Sequence, residues 1–196
     1  MAIDREALAE WVNSLSKDSL SMLAYIVRPS IEADAFPILL DWINNDVKKQ
    51  SGAIKLIGYV EGISEEEEKV RFDTLLSLVQ IVYESINIRL NAMSSLLALD
   101  SSGDRRLTIA QTFVELLEDD NDDIRKFAAS QLKWFAHPTL EPEILAQYNT
   151  QPQLQETLIP AIANIGTASA LDKLWEIMQT HTPNSLLYKK CATSPH

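Results

Sequence analysis

The sequence predicts an all-α chain, about five antiparallel helical hairpins stacked as an array. Three observations predict it. Apolar residues recur at the i, i+3, i+4, i+7 spacing of a helix face through most of the chain, and no segment sustains period-2 alternation between turn glycines. Only five glycines occur in 196 residues, few for a β-rich protein full of tight turns. A pattern also repeats. Ile88-Arg89 opens IRLNAMSSL and Ile124-Arg125 opens IRKFAASQL, both fitting I-R-x-x-A-x-x-x-L and lying 36 residues apart. A period of that length is the mark of a helical-repeat array.

The elements follow in order. Asp4 caps a first helix to Leu15, with Ala7, Leu8, Trp11, Val12 and Leu15 on one face. Asp18 caps a second to about Val27, which Pro29 ends. Ser30 opens a third, in which Pro37 marks the true first turn or a kink, and Ile38, Leu39, Trp42 and Ile43 face inward. Asn44-Asn45-Asp46 is a turn that caps Val47 to Val60, where Ala53, Ile54 and Ile57 point in and Gly52 and Gly58 permit close helix approach. Ser64 to Glu67 is a capping box for a helix to Tyr83, through Val70, Leu75, Leu78, Val79 and Val82. The Ile88 helix comes next, then a polar turn at Asp100 to Asp104 and a helix from Leu107 to Leu117.

The clearest copy of the repeat is Glu118 to Phe135. Asp119 to Asp123 is its acidic turn and Ile124 to Ala136 its helix, broken by His137-Pro138. Glu141 to Tyr148 tolerates Pro142 in its first turn. Gln153 to Ile165 is bent or split by Pro160 and ends at Gly166. Thr167 or Ser169 starts a last helix through Leu171, Leu174, Trp175 and Met178. This gives a single domain over 1–181 and a flexible tail over 182–196.

Composition narrows the partners. Hydrophobic residues make up 46%, enough for a real core, and the net charge is -11. Such a surface repels nucleic acid phosphates and anionic lipid, so neither is an expected partner. The basic pairs Lys48-Lys49, Arg105-Arg106 and Lys189-Lys190 are scattered. Cys191 is the only cysteine, so no intramolecular disulfide forms. The N-terminus carries charge early and lacks a signal-like apolar run, and the longest apolar stretch, Leu75 to Tyr83, is too short for a bilayer. A soluble, cytoplasmic protein is expected.

Motifs that carry chemistry find no match. The run Glu118 to Asp123 lacks the central glycine of a calcium loop and reads as turn and cap. His137, His181 and His196 have no zinc-ligand spacing, and Cys191 lies in the tail without a fixed electropositive setting. No phosphate-cradling glycine loop or nucleophile elbow occurs. No metal or cofactor is expected, and a non-enzymatic role is favoured.

The segments LLEDDNDDIRKFAASQLKWF (116–135) and IPAIANIGTASALDKLWEIM (159–178) resemble HEAT-like repeats, in particular the short bacterial type named after phycobilisome lyases. AIKLIG at 53–58 echoes AIANIG at 161–166, in a register that conflicts with the I-R blocks under a strict period. The resemblance implies a right-handed α-α superhelix of the HEAT/armadillo solenoid kind. Within that motif, Asp122 and its neighbours cap the second helix, Arg89 and Arg125 pair with the acidic turn of a neighbouring repeat, and a small residue lets the helices approach. The implied function is a protein-protein interaction scaffold or assembly adaptor, binding a basic or amphipathic protein, with a hetero-oligomer as one form. The family also includes subunits of bilin lyase complexes acting on phycobiliproteins, which is the alternative. A HEAT-like DNA glycosylase would need a cationic face that this chain lacks. Trp11, Trp42 and Trp175 fit core stripes. Lys126, Lys133 and Trp134 are the side chains expected to meet a partner.

Overall fold

The computed structural model describes residues 4–17, 31–82, 84–99 and 103–193. Among them the chain is all-helical, with a single isolated bridge, Ile31 to Val60, in place of any strand. The sequence reading sets one domain over 1–181; the structure divides the chain into two compact units, Met1–Ser101 and Ser102–His196.

The first unit holds α1 (Arg5–Lys17), a 3-10 turn (Ala33–Ala35), α2 (Phe36–Asn45), α3 (Val47–Ile57), α4 (Glu65–Gln80) and α5 (Ile86–Ala98). Helices α2 with α3, and α4 with α5, pack as hairpins, and α3 lies against both α1 and α5. The caps are the predicted ones. Asp4 accepts from the amides of Glu6 and Ala7, and Asp46 from those of Lys48 and Lys49. Ser64 and Glu67 make the reciprocal capping box. The Lys49 ammonium holds the Asp46 carboxyl below its ordinary range, and the Ser64 amide and hydroxyl do the same for Glu67. Pro37 falls in the first turn of α2, where its missing amide costs nothing. The second helix predicted from Asp18 lies outside the described residues.

The second unit holds α6 (Gly103–Glu115), α7 (Asp122–Phe135), α8 (Glu141–Thr150), α9 (Gln155–Ile165), α10 (Ala168–Thr180) and α11 (Leu186–Thr193). Hairpins α6/α7, α8/α9 and α10/α11 form, and α9 packs against both α7 and α11. Of the two expectations at Pro160, the split does not occur: α9 is one helix through it. The tail from residue 182 is not loose as far as Thr193, because α11 packs on α9 and α10 and buries Cys191 completely. Three consecutive apolar or aromatic residues, Leu186, Leu187 and Tyr188, open that helix, a signal the polar flanks of the tail mask.

The repeat resolves into one register. The second helices of the first four hairpins begin at Val47, Ile86, Asp122 and Gln155, at spacings of 39, 36 and 33. Counted from those starts, the seventh residue is always alanine: Ala53, Ala92, Ala128 and Ala161, each fully buried. The eleventh is Ile57, Leu96, Leu132 and Ile165, all in the core. The I-R blocks mark the starts of these helices and the A-I-x-x-I-G blocks their ends. Shortening hairpins, not a different motif, produce the apparent conflict of register.

Two glycines close equivalent helices for different reasons. Gly166 has φ 70, the left-handed conformation that ends a helix without a Cβ penalty. Gly58 has an ordinary helical φ of -63, but a Cβ there would stand 3.0 Å from the carbonyl oxygen of Ser95. Gly58→Ala is therefore expected to lose about 1–3 kcal/mol by forcing α3 and α5 apart, despite alanine's better helix propensity. Urea unfolding of the variant checks this; a gain in stability would mean the two helices separate at no cost.

Candidate functional site

Helix α7 carries the three side chains singled out by the sequence. Asn121 caps it through the amides of Asp123 and Ile124, and Ile124, Ala128, Ala129, Leu132 and Phe135 form its buried face. Lys126 and Lys133 are seven residues apart, two turns up the same side of the helix. Lys126 stands 3.7 Å from Asp122 at the acidic end, while the Lys133 ammonium lies 4.9 Å over the ring of Trp134. The structure thus joins Lys133 to Trp134 and leaves Lys126 about 10 Å along the axis from them.

Trp134 is 61% exposed, unusual for so large an apolar side chain. Its backbone is fixed on both sides. Arg106 of α6 donates to the Trp134 carbonyl and stacks 4.9 Å over the neighbouring Phe135 ring. Asn164 of α9 donates to the Lys133 carbonyl. These bonds take up carbonyls that the end of α7 leaves without helical partners. The exposed indole therefore sits on a rigid base.

The arginines of the repeat reach carbonyls of their own hairpins. Arg125 donates to the carbonyls of Asp119 (2.5 Å) and Asp120 (3.1 Å) and pairs with Asp122, all in its own turn. Arg89 donates at 2.9 Å to the carbonyl of Val79, near the end of α4 in its own hairpin. A guanidinium on the first turn of the second helix has the carbonyl-rich end of the first helix within reach, where the helix dipole also favours it. Several of the ties between successive hairpins are side-chain amides. Gln151 donates to the Leu117 carbonyl at 2.7 Å, Gln147 to Glu118 at 2.6 Å, and Asn91 to Ser51 at 2.9 Å.

Two residues escaped the sequence reading. Arg71 is only 4% exposed and gathers the carbonyls of Ile57 and Val60. Its signal was a lone cation four residues before Leu75, on the buried stripe. Trp175, expected in the core, is 62% exposed; Trp42 is buried and Trp11 partly so. The stripe Leu171, Leu174, Trp175 and Met178 is real, but only the side toward Ala170, Leu174 and Ile177 is covered.

The Cys191 thiol is buried, which pushes its pKa up and disfavours the nucleophilic thiolate. It lies beside Tyr148, whose hydroxyl is raised to about 12, first by burial and then by the Cys191 and Glu176 charges. A raised folded-state pKa favours the protonated form. Its stabilisation is complete below the unfolded value of 10 and is lost as pH rises toward 12. The stability of the wild type is expected to fall by about 2 kcal/mol more than that of Tyr148→Phe across this window; parallel urea titrations of the two would check it, and identical slopes would rule it out. Among the described residues no group of three or more His, Cys, Asp or Glu is placed to hold a metal ion, and no helix is long and apolar enough to cross a membrane. Compared with known protein families, curated proteins and solved structures, the chain matches none.

Proposed function

We propose that the chain is a protein-protein interaction scaffold, a HEAT-like solenoid whose hairpins stack into a right-handed α-α superhelix. The observation that carries this reading is a rigidly based, exposed tryptophan, Trp134, with the Lys133 ammonium over its ring. Tryptophan is the residue type most enriched among binding hot spots, and a preorganised base lowers the ordering cost of binding. The repeated alanine and leucine positions of the second helices support the solenoid, because such arrays present extended surfaces by small rotations between repeats. The net charge of -11 suits a partner that is basic or amphipathic.

The test uses the full chain immobilised as bait, with captured proteins identified and then titrated individually. A partner should bind saturably, more weakly as salt rises, and Trp134→Ala should weaken it by about 2 kcal/mol, or some thirtyfold, without lowering the melting temperature. Binding indifferent to both salt and Trp134, or no specific partner from the native cell, would remove the proposal.

A further inference from the structure

We infer that the outer flank of α10 is a docking site for a cationic amphipathic helix of another protein. The inference deepens the scaffold reading and rests on it. Helix α10 carries one broad apolar arc, of which half is covered. Ala170, Leu174 and Ile177 are buried, whereas Leu171 is 42% and Trp175 62% exposed. Leu171 and Trp175 are four residues apart and so stand on one face, with the half-buried Met178 continuing the line. Leu186, which opens the next helix, is 57% exposed.

The direction of this flank identifies what it fits. Lys173 reaches toward α8, its ammonium 5.6 Å over the Tyr148 ring. At 100° per residue, Leu171 and Trp175 lie about 160° around the helix from Lys173. The exposed stripe thus faces away from α8. A helix with its own apolar stripe can lie along the Leu171–Trp175–Met178 line on that side.

Charge decides between occupants. Asp172 stands three residues before Trp175 on the same side, and Glu176 follows it directly; both are exposed. A second copy of the chain would bring the same carboxylates and another net charge of -11 against them. A helix with Lys or Arg beside its apolar stripe would instead place cations against Asp172 and, in competition with Lys173 at 3.1 Å, against Glu176.

The probe is a synthetic helix of leucine and lysine in amphipathic order, with a scrambled peptide of the same composition as control. It is titrated into the full chain by calorimetry. The ordered peptide is expected to bind at least about tenfold more tightly than the scrambled one, and Trp175→Ala to abolish that preference while the melting temperature stays unchanged. Asp172→Asn with Glu176→Gln should weaken binding several-fold and flatten its salt dependence. Trp134→Ala should leave it unchanged. Equal binding of the two peptides, or a preference untouched by Trp175→Ala, overturns the site. A preference that follows Trp134 instead overturns the site and leaves the scaffold reading standing. Self-association of the wild type that Trp175→Ala dissolves makes a second copy the occupant and overturns the cationic partner.

Discussion

Arg71→Met is expected to lose about 2–4 kcal/mol of stability, the largest loss of any polar substitution in the first unit. The guanidinium is almost wholly buried. It donates to Ile57 (3.1 Å) and Val60 (2.7 Å), the last carbonyls of α3 and its exit, and pairs with Glu68. Methionine fills much of the volume, so the loss isolates the hydrogen bonds from the packing. The Val60 carbonyl loses this donor at a cost of about 1–3 kcal/mol, whereas that of Ile57 keeps a 3.4 Å bond from the Val60 amide and loses less. Glu68 loses its cation but is partly exposed and can rehydrate, so its share is smaller. Glu68→Gln should accordingly cost under about 1 kcal/mol. Arg71→Lys should recover only part, since an ammonium cannot reproduce a planar fork. Urea unfolding followed by far-UV circular dichroism gives the ranking; Met and Gln variants of equal stability would show that the carbonyls find other donors.

The fold was legible in this sequence where local chemistry repeats. Caps at Asp46, Ser64, Asn121 and Thr167 are short-range arrangements, and each forms as its residues suggest. The helical class followed from periodicity, which survives any register error. What could not be read was which half of an apolar arc is covered. Trp175 and Trp42 both belong to apolar stripes, yet one is exposed and the other buried. Coverage depends on whether a neighbouring helix stands beside that flank, and this is a property of the assembly of hairpins. The arginines illustrate the same limit. Arg89 and Arg125 share one motif position, but a side chain that long reaches several carbonyls, and the hairpin geometry gives Val79 of the preceding helix to Arg89 and the turn carbonyls of Asp119 and Asp120 to Arg125. Trp134 follows Leu132 and precedes Phe135, at the edge of the stripe, and the structure leaves it 61% exposed with the Lys133 ammonium over its ring.

Phe113→Ala is expected to cost about 3–5 kcal/mol, and to reach the binding surface as well as the core. Phe113 is the largest of the fully buried side chains, and its ring meets Phe135 edge to face, with centroids 6.0 Å apart at 81°. Removing it leaves a cavity between α6 and α7 and forfeits an aromatic pair worth roughly 0.5–1.5 kcal/mol beyond area burial. Phe113→Leu keeps most of the volume and should cost less, about 1–2 kcal/mol. The cavity opens beneath Phe135, the last residue of α7, and Trp134 is its immediate neighbour. Arg106 grips that same place through the Trp134 carbonyl and the Phe135 ring. A loosened Phe135 therefore frees the base on which Trp134 is presented. Amide exchange at the end of α7 should quicken more in Phe113→Ala than in Leu158→Ala, a truncation of a fully buried residue in the first turn of α9, even where both lose similar global stability. If the two variants accelerate exchange equally along α7, the indole's orientation is set by the unit as a whole and not by the Phe113–Phe135 contact beneath it.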